Sequence, residues 1–385
     1  MTPGRDPDQF TTTGWPWRPG NRFRLLDDGG EFFARMLQAI DAASRYVLLE
    51  MYLVRSGAIA TRFIEAFRRA ARRGARVCLV LDAFGALGLT RADRRRLLDA
   101  GVELRFFNPL RLKNRLSNLL RDHRKLLLTD GRVAFVGGAG LTDDFAPGPR
   151  GAWRELMVEI EGPVISDWQR AFARTWRRCG PELALPDLPP CEPRAGGAAG
   201  RLALSEARQR SVLANGVRSR IDCAATRAWI MSAYFVPSRR FRKALRRAAR
   251  RGVDVRLVVP GPLTDHPLVR QAARRFYGKL LRNGVRIFEF QPRVLHGKMS
   301  ICDDWVSVGS SNLDRWSFKW NLEANQEIEN EPFANVAAAV FEKDCGQSLE
   351  LDRHRWPQRA WIDRLQERVA GAVDRWLDRW RRPHL

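Results

Sequence analysis

The sequence predicts an α/β protein of two duplicated halves, each a mixed, mostly parallel sheet flanked by helices, with pseudo-two-fold symmetry between them. Three observations predict this fold. The heptamer RRAARRG occurs at 68–74 and again at 246–252. Strand-like and helix-like patterns alternate around each copy, which is typical of a sheet with helical connections. A histidine–lysine–aspartate pattern also occurs twice, at 123–130 and 296–303.

The elements of the two halves correspond in order. An apolar strand pattern precedes each heptamer, at 46–54 and at 228–236, and another apolar strand pattern follows it. Gly74 and Gly252 end the heptamers and predict the C-terminal caps of two helices. The copies lie much farther apart than the roughly 20 to 50 residues of a solenoid repeat. The repeat therefore predicts a duplicated domain.

Composition divides the chain into five parts. Residues 1–21 are predicted to be an N-terminal extension, and 22–180 the first domain. A stretch rich in Pro, Gly and Ala at 181–203 predicts a linker. The second domain is predicted at 204–350, and a basic amphipathic C-terminal segment at 351–385.

The C-terminal segment carries apolar residues at helical spacing, with Arg on the other face. Two interpretations stay open: a helix packed on the core, or an interfacial helix with Trp at the headgroup level and Arg on anionic lipid. The apolar positions are Trp361, Leu365, Val369, Val373, Trp376, Leu377 and Trp380.

The chain is strongly basic. Its 385 residues include 67 Lys and Arg against 43 Asp and Glu, a formal net charge of +24. This charge favours an anionic partner, such as nucleic acid, an anionic membrane or a phosphate-rich substrate, although part of it belongs to an ordinary solvated surface. Six cysteines without CxxC spacing favour reduced thiols in a cytosolic protein. There is no signal-peptide pattern and no apolar stretch of about 20 residues, so we expect any membrane contact to be peripheral.

The two histidine-containing patterns have the spacing His-x-Lys, four residues, then Asp. On a strand, positions i and i+2 face the same side, so each His projects together with its Lys. A single such pair is usually a surface ion pair, but two pairs at matching places in a duplicated chain can face each other and bracket one phosphorus atom. The six candidates are His123, Lys125, Asp130, His296, Lys298 and Asp303.

This double pattern, followed by GSSNLD at 309–314, resembles the phospholipase D superfamily, and most closely the B-type bacterial cardiolipin synthases. The supporting stretches lie at 20–40, 47–53, 153–163 and 296–328. The resemblance implies two phospholipase D-like domains and a two-step reaction through a covalent phosphohistidine. It implies His123 as the nucleophile and His296 as the general acid and base, although symmetry leaves the reverse assignment open.

Elementary chemistry agrees with that reaction. A neutral imidazole is a nucleophile near pH 7, and a protonated one can donate to the leaving oxygen. Lys125 and Lys298 are expected to neutralise the non-bridging phosphate oxygens. We therefore expect neither a metal nor a cofactor.

Each imidazole is expected to have an orienting carboxylate. Glu155 follows the first motif and Glu323 follows the second, at places where the family has an acidic residue. Surface carboxylates are the alternative interpretation. Asp130 and Asp303 are expected to bind backbone or a residue of the other half rather than to react. The candidate phosphate- or substrate-binding residues are Ser310, Asn312, Glu50 and Gly138.

The chain departs from the family pattern at three places. Gly140 stands where related synthases carry Asn, which predicts a missing phosphate contact. Only five residues separate Asp303 from Gly309, which leaves the strand register beyond that point open. Glu50 has Ser232 as its counterpart, so we expect the halves to differ, with one holding the donor lipid and the other the acceptor.

The resemblance implies a phosphatidyltransferase that uses phosphatidylglycerol as donor and phosphatidylglycerol or another alcohol as acceptor. A phospholipase D-type hydrolase and a nuclease or other phosphodiesterase are the alternatives, and a non-catalytic membrane-binding protein is a third. The expected partners are a phospholipid substrate and an anionic membrane, with no specific nucleic acid. The expected location is peripheral, on the cytoplasmic face of the bacterial inner membrane, and a monomer suffices for the site.

Overall fold

The computed structural model describes most of the chain. The described residues are 14–110, 117–148, 152–185, 191–205, 212–314, 321–361, 365–367, 369–370 and 372.

The first half begins with a strand that pairs with the first strand of the second half, and this pair of strands is the seam between the halves. Its elements are β1 (Arg18–Leu26), α1 (Gly29–Ala42), β2 (Tyr46–Met51), α2 (Ala58–Arg72), β3 (Arg76–Asp82), α3 (Arg91–Leu98), β4 (Glu103–Phe107), β5 (Arg121–Asp122), β6 (Lys125–Thr129), β7 (Val133–Gly137), β8 (Met157–Glu161) and α4 (Ile165–Arg178).

The second half repeats this order with short additions. Its elements are β9 (Ala198–Ser205), α5 (Val212–Cys223), β10 (Arg227–Met231), β11 (Phe235–Val236), α6 (Arg239–Arg250), β12 (Asp254–Pro260), α7 (Pro267–Arg274), α8 (Tyr277–Leu281), β13 (Arg286–Phe290), β14 (Met299–Cys302), β15 (Trp305–Gly309), β16 (Leu313–Asp314), β17 (Asn321–Glu329), α9 (Glu331–Gly346) and β18 (Ser348–Glu350).

The repeated heptamers end two helices in the same way. Gly74 has φ +90° and its N–H donates to the carbonyl of Ala71, while the next N–H reaches back to Ala70. Gly252 has φ +90° as well and closes α6 with the equivalent bonds. These are Schellman caps, which require a residue in the left-handed region. The predicted caps are confirmed.

Among the described residues, sixteen strands form one continuous sheet. In the first half the order outward from the seam is β1, β8, β7, β6, β2, β3 and β4, and in the second half β9, β17, β15, β14, β10, β12 and β13. Each strand of one half therefore has its counterpart at the same distance from the β1–β9 pair. This arrangement confirms the duplicated α/β fold and places its pseudo-two-fold axis at that pair.

The sheet is mixed, as predicted, but its parallel share is smaller than expected. Strands β2, β3 and β4 pair in parallel, and so do β10, β12 and β13. The strands β6, β7 and β8 pair antiparallel, and so do β14, β15 and β17. The reason is that each histidine motif runs into a tight hairpin, and a short turn can join only antiparallel neighbours.

Helices cover both faces of the sheet. On one face, α4 and α9 bury their apolar sides against strands of both halves in a shared core. On the other face, α1 to α3 pack on the first half and α5 to α8 pack on the second, each with its own core. No described helix is long and apolar enough to cross a bilayer.

Two predicted boundaries fall inside strands. The boundary after residue 21 cuts β1, and the boundary after residue 203 cuts β9. These strands pair with each other at the seam. The Gly-rich and Pro-rich sequence around them predicted extension and linker, because it lacks the apolar alternation of a strand. Of the C-terminal segment, only residues up to 361, 365–367, 369–370 and 372 are described.

Candidate active site

The two histidines are positioned by backbone contacts between the halves. The N–H of His123 donates to the carbonyl of Leu322 at 2.9 Å, because β5 pairs in parallel with β17. The N–H of His296 donates to the carbonyl of Arg154 at 2.8 Å. Leu322 and Arg154 each precede an expected orienting glutamate. Each motif is therefore anchored beside the glutamate of the opposite half.

The side chains follow the same crossed arrangement. Nδ1 of His123 lies 3.0 Å from Glu323, and Nδ1 of His296 lies 2.5 Å from Glu155. Both carboxylates are fully buried. The order along the chain associates each glutamate with the histidine that precedes it. The structure exchanges these partners across the pseudo-two-fold axis.

The lysines differ between the two motifs. Nζ of Lys125 donates to the carbonyl of His123 at 2.5 Å and lies 5.1 Å from the ring centroid of Tyr52. Nζ of Lys298 contacts the carbonyl of its histidine and also lies 2.8 Å from Nδ1 of His296 and 3.3 Å from Glu155. The second motif is thus a three-group cluster, whereas the first keeps its lysine away from the imidazole nitrogen.

Burial controls the protonation of the site. Desolvation, with Lys298 adding to it, lowers the pKa of His296 to about 4. Burial also lowers the pKa of His123, against the opposing carboxylate of Glu323. It lowers the pKa of Lys125 to about 7 and lowers that of Lys298. Both imidazoles are therefore neutral at pH 7.

Both imidazoles line one cavity of about 690 Å³. This volume lies within the ordinary range of small-molecule sites, about 300–1,000 Å³. The expected convergence of the two histidines is therefore present. Lys125 also lines the cavity, whereas Lys298 lies behind His296. Among the described residues, no group of three or more His, Cys, Asp or Glu could hold a metal ion.

The aspartates of the motifs are structural. Asp130 has φ +51° and accepts hydrogen bonds from the N–H groups of Ser44, Arg45 and Tyr46 at 2.8–2.9 Å. Asp303 has φ +52° and binds the start of β10 in the same way. Burial acts to raise the pKa of both carboxyls, but these backbone bonds, joined at Asp303 by the hydroxyl of Thr226, lower it below the ordinary value. Both aspartates bind backbone groups, which was the first of the two expectations. Each ties the turn of its hairpin to the start of the neighbouring strand, β2 or β10, far from the reacting atoms.

The residues of GSSN have two different roles. The hydroxyl of Ser310 donates to Glu323 at 2.5 Å, and Ser310 is completely buried. It therefore positions the carboxylate, and the expected phosphate contact is not its role. Asn312 lines the cavity, and its buried Oδ1 has no hydrogen-bond partner among the described residues. It is thus available to a ligand, and its contact with phosphate or substrate stays a prediction.

The first-half candidates for substrate binding are corrected. Gly138 lines the cavity, but a Cβ there would stand 2.2 Å from Oε2 of Glu155. Its role is to leave room for that carboxylate. A Cβ at Gly140 would stand 2.6 Å from the carbonyl of Leu53, so an Asn does not fit there as the backbone stands. Leu53 therefore occupies the space that an Asn side chain would need.

Glu50 lies away from the cavity. Its carboxylate lies 3.1 Å from the hydroxyl of Thr175 and 3.5 Å from Arg124, on the face of β2 that also carries Leu48. Burial and the adjoining Glu50 raise the pKa of Asp122 well above its ordinary value. The strand alternates, and its opposite face is the one that leads to the histidines. Substrate binding by Glu50 is therefore ruled out by its orientation.

The one-residue deletion in the second motif is confined to a turn. Thr129 pairs with Val133 across three turn residues, while Cys302 pairs with Trp305 across two. Downstream, Leu126 opposite Val136 corresponds to Met299 opposite Val308, so the register is the same in both halves.

Several cavity residues were missed from the sequence. Tyr52 and Tyr234 occupy the same position of the repeat and lie 4.7 Å and 6.3 Å from the rings of His123 and His296. The repetition of this tyrosine in both halves was a usable sequence signal. Four other cavity residues lie outside the repeated pattern, so the sequence gave no signal for them: Phe145, Trp153, Asp265 and His266.

Comparison with known proteins agrees with this geometry. The family model described as "Cardiolipin synthase, PLD-like domain" matches residues 36–176 and 217–345. The chain is 34% identical over 368 residues to cardiolipin synthase A of Pseudomonas aeruginosa, covering 94% of this chain and 74% of that one. It is 33% identical over 366 residues to cardiolipin synthase B of Escherichia coli K12, covering 90% and 86%.

Solved structures show the same fold at low identity. The crystal structure of phosphatidylserine synthase from Haemophilus influenzae Rd KW20 superimposes with a TM-score of 0.73 over 98% of each chain, at 11% identity. Polyphosphate kinase from Porphyromonas gingivalis gives a TM-score of 0.60 over 86% of this chain and 49% of that one, at 13% identity. Together with the matched motifs, these findings show that the chain belongs to the cardiolipin synthase family with phospholipase D-like domains.

Proposed function

We propose that the protein is a phosphatidyltransferase that moves a phosphatidyl group from phosphatidylglycerol to the hydroxyl of a second phosphatidylglycerol or another alcohol. One observation carries this proposal: two imidazoles, each paired with a buried glutamate of the opposite half, line a single cavity. Two facing bases suit displacement at one phosphorus in two steps.

In the first step His123 is the proposed nucleophile. Its Nδ1–H donates to Glu323, which leaves the lone pair of Nε2 free to attack phosphorus. A P–N bond forms, the P–O bond to glycerol breaks, and the leaving oxygen takes a proton from Nε2 of His296. In the second step the incoming hydroxyl returns a proton to His296 as it forms a P–O bond and the P–N bond breaks.

The difference between the motifs supports this assignment. His123 has only a carboxylate at Nδ1, as a nucleophile requires, whereas Nδ1 of His296 meets both Glu155 and the ammonium of Lys298. Burial, together with Lys298, keeps His296 neutral. A phosphodiester monoanion beside the ring adds negative charge, which favours its protonated, acidic form.

The lysines supply the positive charge that the anion needs. Lys125 lines the cavity and can approach a non-bridging oxygen. Lys298 lies against Glu155 and acts on the phosphate through His296 and its carboxylate. Fixed cations in a buried site stabilise charge that builds up during transfer.

Exposed apolar residues beside the cavity support contact with a membrane surface. The side chains of Leu268, Trp361, Leu365 and Val369 are between 48% and 69% exposed. Leu268 lines the cavity, and the last three follow a helical spacing whose inward residue Ala370 also lines it. Extraction of a phospholipid costs about 0.8 kcal/mol per CH₂, so the cavity has to meet the bilayer. We place the protein peripherally on the cytoplasmic face of the bacterial inner membrane, acting as a monomer.

The test is lipid turnover without metal. Purified protein is incubated with phosphatidylglycerol vesicles and a chelator, and the lipids are analysed by mass spectrometry, with His296→Ala as the inactive control. Cardiolipin and glycerol are the expected products. Formation of phosphatidic acid alone would identify a hydrolase. Cleavage of DNA that is lost in His123→Asn, without lipid turnover, would identify a nuclease.

A further inference from the structure

One wall of the cavity carries polar groups that the other wall lacks. The loop after β12 places Asp265 and His266 in the lining, whereas the corresponding loop after β3, residues 83–90, contributes none of the lining residues. Asn312 stands on the same wall, and its counterpart in the first half is Gly140. The polar wall therefore belongs to the second half and lies on the side of His296.

The polar groups of this wall form a connected line. The hydroxyl of Tyr234 donates to Asp265, and the Tyr234 ring lies 6.3 Å from that of His296 and 5.1 Å from that of His266. Nε2 of His266 lies 3.6 Å from Oδ2 of Asp265, and the His266 side chain is 59% exposed. This line of contacts runs from His296 through Tyr234 and Asp265 to the exposed side chain of His266.

Two acceptor atoms on this wall have no partner within the described residues. They are Oδ1 of Asp265 and Oδ1 of Asn312, both buried. A buried acceptor without a donor costs about 1–3 kcal/mol, which a ligand hydroxyl would recover. A phosphate could not do so, because it offers no donor to the Asp265 carboxylate and repels it. Two acceptors and an imidazole instead match the neighbouring hydroxyls of a polyol.

We infer that Tyr234, Asp265, His266 and Asn312 form the subsite for the polyol head group, the glycerol that leaves and the glycerol-bearing alcohol that enters. This inference rests on the proposed function. The subsite holds one hydroxyl beside His296, so that its oxygen forms the new P–O bond while the P–N bond to His123 breaks and its proton passes to Nε2 of His296. Water and simple alcohols use the same step without these contacts.

The experiment compares three acceptors on the full chain. Phosphatidylglycerol vesicles are incubated with chelator and with isotopically labelled glycerol or ethanol, and labelled phosphatidylglycerol, phosphatidylethanol and phosphatidic acid are measured by mass spectrometry. The variants are Asp265→Asn and His266→Ala. Their matched controls are Asp99→Asn and His354→Ala, both exposed and outside the cavity.

We expect each cavity variant to raise the glycerol concentration for half-maximal exchange about five- to thirtyfold, since one hydrogen bond is lost. Any slowing of the first step, in which glycerol leaves, is common to all three acceptors, so the ratio of phosphatidylethanol to phosphatidic acid should stay within about twofold, and the controls should match the parent protein. An unchanged glycerol dependence, or an equal loss with all three acceptors, would overturn the subsite but leave the transferase. A parent protein that turns over no phosphatidylglycerol would overturn the proposed function, and the subsite with it.

Discussion

Replacement of Glu323 with Gln tests the crossed pairs most directly. Glu323 is fully buried and accepts hydrogen bonds from three donors: Nδ1 of His123 at 3.0 Å, the hydroxyl of Ser310 at 2.5 Å and the amide of Asn321 at 3.2 Å. Three hydrogen-bond donors around one side chain require a group, such as a carboxylate, whose atoms only accept hydrogen bonds. A Gln must turn its own NH₂ towards one of them, and it removes the charge that stabilises a cationic imidazole.

The expected loss follows from this distance. A carboxylate 3.0 Å from a developing imidazolium contributes about 5 kcal/mol at an effective dielectric constant of about 20. In the Ser-His-Asp triad, neutralising the orienting carboxylate lowers kcat about 10⁴-fold. We therefore expect Glu323→Gln to lower kcat about 10³- to 10⁴-fold, with KM within a few-fold because Glu323 lies behind the imidazole.

The assay is rapid-quench measurement of glycerol release in the first turnover, which reports formation of the phosphoenzyme. Glu329→Gln is the matched control, since it lies on the same strand with a side chain 48% exposed. The reasoning would be refuted if Glu323→Gln kept more than a tenth of the parent rate while its thermal unfolding was unchanged.

Four further predictions concern single residues. Because burial lowers the pKa of Lys125 to about 7, its charged form is lost as the pH rises through that value; kcat/KM on vesicles should fall above pH 7, and a flat profile from pH 6 to 9 would contradict this. Asp130→Ala removes the bonds to the start of β2 at a left-handed position, so urea unfolding should show a loss of about 2–4 kcal/mol; a large loss of kcat with unchanged stability would instead indicate a catalytic role. Glu50→Gln should leave kcat/KM within about threefold, and a rise in KM for lipid would contradict its assignment to the opposite face. Gly138→Ala places a Cβ 2.2 Å from the carboxylate that holds the second histidine and should lower kcat about a hundredfold, whereas Gly346→Ala, with nothing within 4 Å, should not.

Features that repeat could be predicted from the sequence. The heptamers predicted two helix ends with Gly74 and Gly252 as caps, and both have φ +90°. The motif spacing predicted that the two histidines meet, but it placed each of them on a strand, whereas both lie just before the strands β6 and β14. Duplication made these predictions possible, because a pattern seen once is ambiguous and the same pattern at two matching places is not.

Features that depend on long-range pairing could not be predicted. The partner of His123 is set by the pairing of β5 with β17, and no local pattern around either residue reports it. Glu50 lies in a strand buried on both faces, so the sequence lacks the alternation that would show which face it occupies. Strands β1 and β9 were hidden for a similar reason, since they sit at the seam amid Gly and Pro.

The crossed histidine–glutamate pairs make the active site depend on both halves of the sheet. Within one half, a histidine has its lysine but lacks the glutamate that orients its ring, and the backbone bond that sets its position also comes from the opposite half. The antiparallel seam of β1 and β9 fixes the distance between the halves, and the shared core under α4 and α9 holds them together. A half that folded alone would therefore carry neither a tautomer-fixed nucleophile nor an oriented acid. The duplicated chain supplies both, because each copy completes the other.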